Sequence, residues 1–130
     1  MAAIRLDHAN LRTDRAGMAQ LRDFYIRYVG LVDGPRAALS SFGYWLYAGG
    51  QAVLHISENR AGESAQTGVK TTFDHLAFAC TDFEQMLQCL QQDGIAYRLS
   101  EVPASADFAL QRQIFFHDPA GNGIELNFIA

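Results

Sequence analysis

The chain has 130 residues, 49% of them apolar and 18% charged, with a formal net charge of −4. This balance fits one domain with a buried core and excludes a disordered chain. Arg and Lys are scattered, so no basic stripe is available to neutralise nucleic-acid phosphates, and no apolar run approaches the roughly 20 residues that cross a bilayer.

Residues 1–5 lack the apolar segment of a secretory signal, and a cytoplasmic location is expected. Residues 4–12 read as a strand, with His8, Asn10 and Arg12 on one face by the period of two. Thr13 and Asp14 offer an N-cap, and Met18, Leu21, Tyr25 and Tyr28 follow at helical spacing to a stop at Gly30. A short strand at 31–32 is broken by Gly34-Pro35. Residues 42–47 form an aromatic strand, Gly49-Gly50 a hairpin turn, and 52–57 the return strand. Residues 59–72 are polar and read as a linker or mobile loop.

The pattern then starts again. Residues 72–80 read as a strand, and Thr81-Asp82 with Glu84 and Gln85 as a capping signature. Phe83, Met86, Leu87 and Leu90 form a helical stripe ended by Gly94. Strands follow at 97–102, 113–117 and 123–129, with a loop at 103–110 and an Asp-Pro turn at 118–122. Cys80 and Cys89 form no C-x-x-C pair and are expected to be reduced, without a metal role.

Each half is therefore strand, helix and three strands: module one at about 4–58, module two at about 73–128, within a single domain spanning 1–130. Such modules are expected to pair edge to edge into one curved sheet with helices outside, an α+β fold of two βαβββ units. His8 precedes His55 by 47 positions and His75 precedes Glu125 by 50. Four ligand-type side chains at repeat-related strand positions point to one divalent metal ion. Mixed N and O donors suit Zn, Ni, Fe, Mn or Co. His117 lies off this register and is expected to be structural or exposed. Asp7 and Asp74, each preceding a ligand His, are expected on the opposite strand faces. Asn10, Arg12, Trp45, Tyr47 and Phe108 are candidate substrate contacts.

Leu6-Asp7-His8, Phe24-Tyr25-Ile26-Arg27-Tyr28-Val29-Gly30-Leu31, Phe73-Asp74-His75-Leu76-Ala77-Phe78 and Phe116-His117-Asp118-Pro119-Ala120-Gly121-Asn122-Gly123-Ile124-Glu125-Leu126 together resemble the vicinal oxygen chelate superfamily of glyoxalases, bleomycin resistance proteins and extradiol dioxygenases. The resemblance implies a partly open, barrel-like sheet, module pairing across a homodimer, and His8, His55, His75 and Glu125 as metal ligands. Glyoxalase I usually has Glu or Gln where this chain has His55. Arg12 matches the position where glyoxalase I holds a glutathione carboxylate.

The fold hosts many chemistries. The first expectation is a metal-dependent lyase or isomerase acting on a small oxygenated substrate, with His55 or Glu125 moving a proton. The alternatives are an Fe(II) extradiol dioxygenase using His8, His75 and Glu125, or a non-catalytic drug- or metabolite-binding resistance protein.

Overall fold

Alternating side chains become strands and the amphipathic stretches become helices in the computed structural model, which describes residues 5–63 and 73–129. The chain divides into two compact units, residues 1–70 and 71–130. The first contains β1 (Ala9–Thr13), α1 (Arg15–Tyr28), β2 (Val32–Gly34), β3 (Gly43–Ala48) and β4 (Gln51–Glu58). The second repeats the order with β5 (His75–Ala79), α2 (Phe83–Gln92), β6 (Arg98–Val102), β7 (Gln111–His117) and β8 (Gly123–Ile129). Among the described residues the strands form two four-stranded sheets, β1-β4-β3-β2 and β5-β8-β7-β6. The first and last strands of each unit pair in parallel, and the other pairs are antiparallel.

The period of two divides each sheet into unlike faces. On β3 and β4, Leu46, Leu54 and Ile56 are buried, as are Met18, Leu21 and Tyr25 of α1, which packs on these strands. On β7 and β8, Ile114, Phe116, Ile124, Leu126 and Phe128 are buried, and Phe83 of α2 meets Phe128 edge-on at 5.2 Å. Each such large side chain contributes about 1.5–3 kcal/mol by leaving water. The opposite faces carry the polar residues: Asn10, Arg12, Trp45, His55 and Ser57 in the first sheet, and His75, Gln113, Glu125 and Asn127 in the second.

Asp14 caps α1 as expected, its carboxylate accepting from Gly17 N at 2.7 Å. Asp14→Ala is expected to cost about 1 kcal/mol, read as a lower urea midpoint at unchanged slope. The second capping signature does not form. Asp82 adopts a left-handed conformation (φ 65°) and makes no side-chain cap bond. Its carboxylate instead accepts from the Thr81 hydroxyl at 2.9 Å, a local bond of the kind that draws Asp away from capping geometry.

Three other expectations are corrected. The first strand begins at Ala9, so His8 precedes it; Arg5 and His8 both engage the Asp7 carboxylate, side-chain pairing that competes with a ladder. The strand expected from 72 begins at His75. β7 begins at Gln111, two residues early, because Gln111 pairs with both Val102 and Ile129 although its polar neighbours hide the pattern. Of the segment read as a linker, residues 64–72 lie outside the described residues, as does Ile4. Among the described residues no helix is long and apolar enough to cross a membrane.

Candidate functional site

The register of the first sheet sets Asn10, His55 and Trp45 in one row across β1, β4 and β3. The His55 ring is clamped: His8 stacks on it at 3.8 Å and Trp45 at 4.1 Å, both within 10° of parallel. Burial pushes the His55 pKa below the ordinary imidazole value, and nearby His8 adds to the effect, so the ring is held neutral, the state a metal ligand needs. His8 is exposed, and its Nδ1–H donates to Asp7 Oδ2 at 2.8 Å. That bond holds the Asp7 carboxyl below its ordinary range.

The second sheet brings His75 and Glu125 together. His75 sits at the start of β5 and Glu125 in the middle of β8, with His75 Nε2 and Glu125 Oε1 4.0 Å apart. Glu125 is 8% exposed, and its Oε1 accepts from Gln113 Nε2 at 2.7 Å. The His75 Nδ1–H donates to Asp74 Oδ2 at 2.6 Å. An ionised carboxylate only accepts, so Nδ1 carries a proton, and the other ring nitrogen, Nε2, is the one nearest Glu125. Phe115 meets the His75 ring edge-on at 5.6 Å. An open cleft of about 390 Å³ borders His75 but not Glu125 and is lined by Asp74, His75, Tyr97, Arg98, Phe115 and His117 among others.

Asp7 and Asp74 thus do not turn to opposite strand faces. Each precedes its strand, where the period of two does not apply, and each fixes the imidazole that follows it. The repeated Asp-His dipeptide was the available signal. Gln113, which holds Glu125, has no signal of its own.

The other candidates are placed variously. Asn10 accepts from the Ser57 hydroxyl at 2.8 Å. Arg12 is engaged by Glu63, donating from Nε at 3.1 Å and also from Nη2, and this holds the Glu63 carboxyl below its ordinary range. Trp45 is the outer ring of the His55 stack. Tyr47 follows a bulge in the β3–β4 ladder, lies against Gly34 and donates to the Pro35 carbonyl. Phe108 is 63% exposed in the loop between β6 and β7. His117 ends β7 exposed, beside the cleft. Cys80 and Cys89 are unpaired, and burial pushes the Cys80 thiol up, away from the thiolate form. Among the described residues no group of three or more His, Cys, Asp or Glu gathers as a metal would require; the pairs are His8 with His55 and His75 with Glu125.

A profile of the Glyoxalase/Bleomycin resistance protein/Dioxygenase superfamily matches residues 5–126. An integron cassette protein from the mobile metagenome of V. cholerae superposes with a TM-score of 0.71 at 22% identity, covering 100% of this chain and 98% of that one. A lactoylglutathione lyase from Agrobacterium tumefaciens gives 0.65 at 16% identity, over 98% and 96%. A genomically encoded fosfomycin resistance protein from Listeria monocytogenes, complexed with Mn(II) and 1S,2S-dihydroxypropylphosphonic acid, gives 0.67 at 18% identity, over 99% and 95%. These identities show a shared fold. A comparison with curated proteins returns no match.

Proposed function

We propose, since this chain belongs to the glyoxalase/bleomycin resistance protein/dioxygenase superfamily, that it is a divalent-metal-dependent lyase or isomerase moving a proton on a small oxygenated substrate. The observation that carries this reading is the His75–Glu125 pair: an imidazole oriented by Asp74 lies 4.0 Å from a nearly buried carboxylate. A buried carboxylate beside an imidazole nitrogen suits a cation placed between them.

His8, His55, His75 and Glu125 are the residues that would hold the ion, within one chain or across a homodimer, in a cytoplasmic protein whose two units act as one domain with a curved, partly open sheet. The donor set fits Zn, Ni, Fe, Mn or Co, and the Listeria relative was crystallised with Mn(II). His8 is the member that has to move. Stacked rings hold their in-plane lone pairs side by side, so His8 must leave His55 before both address one ion. Its exposure and its place ahead of β1 leave it room to turn.

A bound divalent ion would supply Lewis acidity to a substrate oxygen. The chain's own part is positional and protonic. Asp7 and Asp74 orient the imidazoles, Gln113 fixes Glu125, and Glu125 or His55 carries the proton. Trp45, Asn10, Arg12, Tyr47 and Phe108 are the proposed substrate contacts.

The test is elemental analysis of the purified protein, followed by assay of hemithioacetals and α-substituted ketones with Ni²⁺ or Zn²⁺. A well-metallated protein inert on all of them would remove this reading. Asp74→Asn is expected to lower metal affinity about 10–100-fold with little change in melting, since Asp74 is exposed; equal affinity would deny Asp74 its orienting role. One observation favours a second reading. Trp45 stacks on the His55 ring from β3, and that contact stays when His8 turns away, which leaves His8, His75 and Glu125 as the two-His-one-carboxylate set of an Fe(II) extradiol dioxygenase. Oxygen consumption with catechols and Fe²⁺ distinguishes the two.

A further inference from the structure

Arg36 lies in the loop between β2 and β3, and among the described residues its guanidinium is bound only by one serine: Nη1 donates to the Ser41 carbonyl at 2.6 Å and Nη2 to the Ser41 hydroxyl at 3.1 Å. Its Nε is buried and has no hydrogen-bond partner among the described residues. Other arginines of this unit engage carboxylates: Arg12 with Glu63, Arg15 with Glu58 and Arg22 with Asp23. No acidic side chain pairs with Arg36 among the described residues. A partly buried cation with an unmet donor is costly unless an anion completes it.

The guanidinium also lies on the sheet face that carries His55. A Cβ on Gly43 would stand 2.8 Å from Arg36 Nη2 and 3.0 Å from Cζ, so the group rests directly over this glycine. Gly43 pairs with Ser57 and Trp45 with His55, so all four face the same way. Arg36 therefore covers the polar face of the first sheet, one row from the clamped His55. Ser41 takes the outer end of the guanidinium through both Nη atoms. Each Nη keeps a second N–H beyond its Ser41 contact, and these are the donors left for an oxyanion.

We propose that Arg36 is the anion-recognition residue of the site, and that the substrate is a small organic acid whose carboxylate, or chemically similar oxyanion, pairs with its guanidinium. The inference deepens the enzymatic reading and assigns to Arg36 the task expected of Arg12, which Glu63 already occupies.

The experiment is isothermal titration calorimetry of the purified protein, as isolated and after EDTA dialysis, with lactate, methylphosphonate and the neutral lactamide. Lactate or methylphosphonate is expected to bind and lactamide not to, the stronger of the two identifying the oxyanion. Arg36→Gln should weaken the anion about tenfold or more. Arg36→Lys, which keeps the charge and lacks the planar fork, should weaken it as well. Arg15→Gln should leave it within about twofold, because that exposed arginine is committed to Glu58. Unfolding curves for each variant show whether it is folded, and Arg36→Lys carries the test if Arg36→Gln does not fold. Equal affinity in folded Arg36 variants, or equal binding of lactate and lactamide, overturns the proposal. Metal content measured on the same samples separates the two ideas. Anion binding through Arg36 in a protein that never retains metal removes the metal reading and supports this one.

Discussion

Replacing Glu125 with Gln is expected to leave the protein folded and to strip it of retained metal. The substitution is close to isosteric. The Gln carbonyl can still accept from Gln113, as Glu125 Oε1 does at 2.7 Å. What disappears is the charge, the only anion in the proposed ligand set. A nearly buried carboxylate carries a desolvation cost, so the neutral variant should unfold at an equal or higher urea concentration. Metal affinity should fall by more than the roughly 10–100-fold typical of losing an outer hydrogen-bond partner. Turnover should fall about 10²–10⁴-fold if Glu125 carries the proton. Elemental analysis and equilibrium dialysis read the first effect directly. Unchanged occupancy would remove Glu125 from the ligand set, whatever the turnover.

The largest loss of stability is expected from Gly123→Ala. Gly123 is the register partner of His75, and a Cβ there would lie 2.1 Å from the Asp74 carbonyl oxygen and 3.1 Å from His75 Cβ. The first obstacle is backbone, so no rotamer change relieves it. Either β8 or the segment carrying Asp74 and His75 has to shift, at a cost of about 3 kcal/mol or more. The preceding turn gives the clash little escape. The Asp118 carboxylate accepts from Ala120 N and Asn122 N at 2.9 Å each and from the Asn122 side chain at 2.8 Å, fixing the chain that delivers Gly123. Urea unfolding should show the loss, and metal affinity should fall with it because His75 is displaced. A midpoint equal to that of the parent would mean that the two strands stand further apart than described.

These effects bear on how much the sequence discloses. The two βαβββ units were readable because Leu46, Leu54 and Ile56 on one side and Ile114, Leu126 and Phe128 on the other follow the strand period, while Met18, Leu21 and Tyr25 follow the helical one. The pairing of His75 with Glu125 was readable because equivalent strands of a repeat hold equivalent places. Other features depend on contacts that no local pattern encodes. The first strand was overextended across His8 because Asp7 draws the local side chains into pairs. Asp82 resembled a cap by composition and not by conformation. The stack on His55 needs β1 and β3 on either side of β4. Arg36 was passed over because its meaning lies in Gly43, seven positions on, and in a Ser41 that takes one end of it alone.

The parallel pairing of the outermost segments has a kinetic corollary. The β3–β4 and β7–β8 ribbons join near neighbours in sequence, whereas Ala9 meets Leu54 and His75 meets Gly123 only after nearly a whole unit has been synthesised. Closing so long a loop is the slowest and entropically dearest event available to each half. The imidazole pair of the first half, and the imidazole and acid of the second, are therefore among the last contacts to assemble. Until its own unit closes, each half lacks its pair, so any capacity to capture an ion that needs both arrives only with maturity.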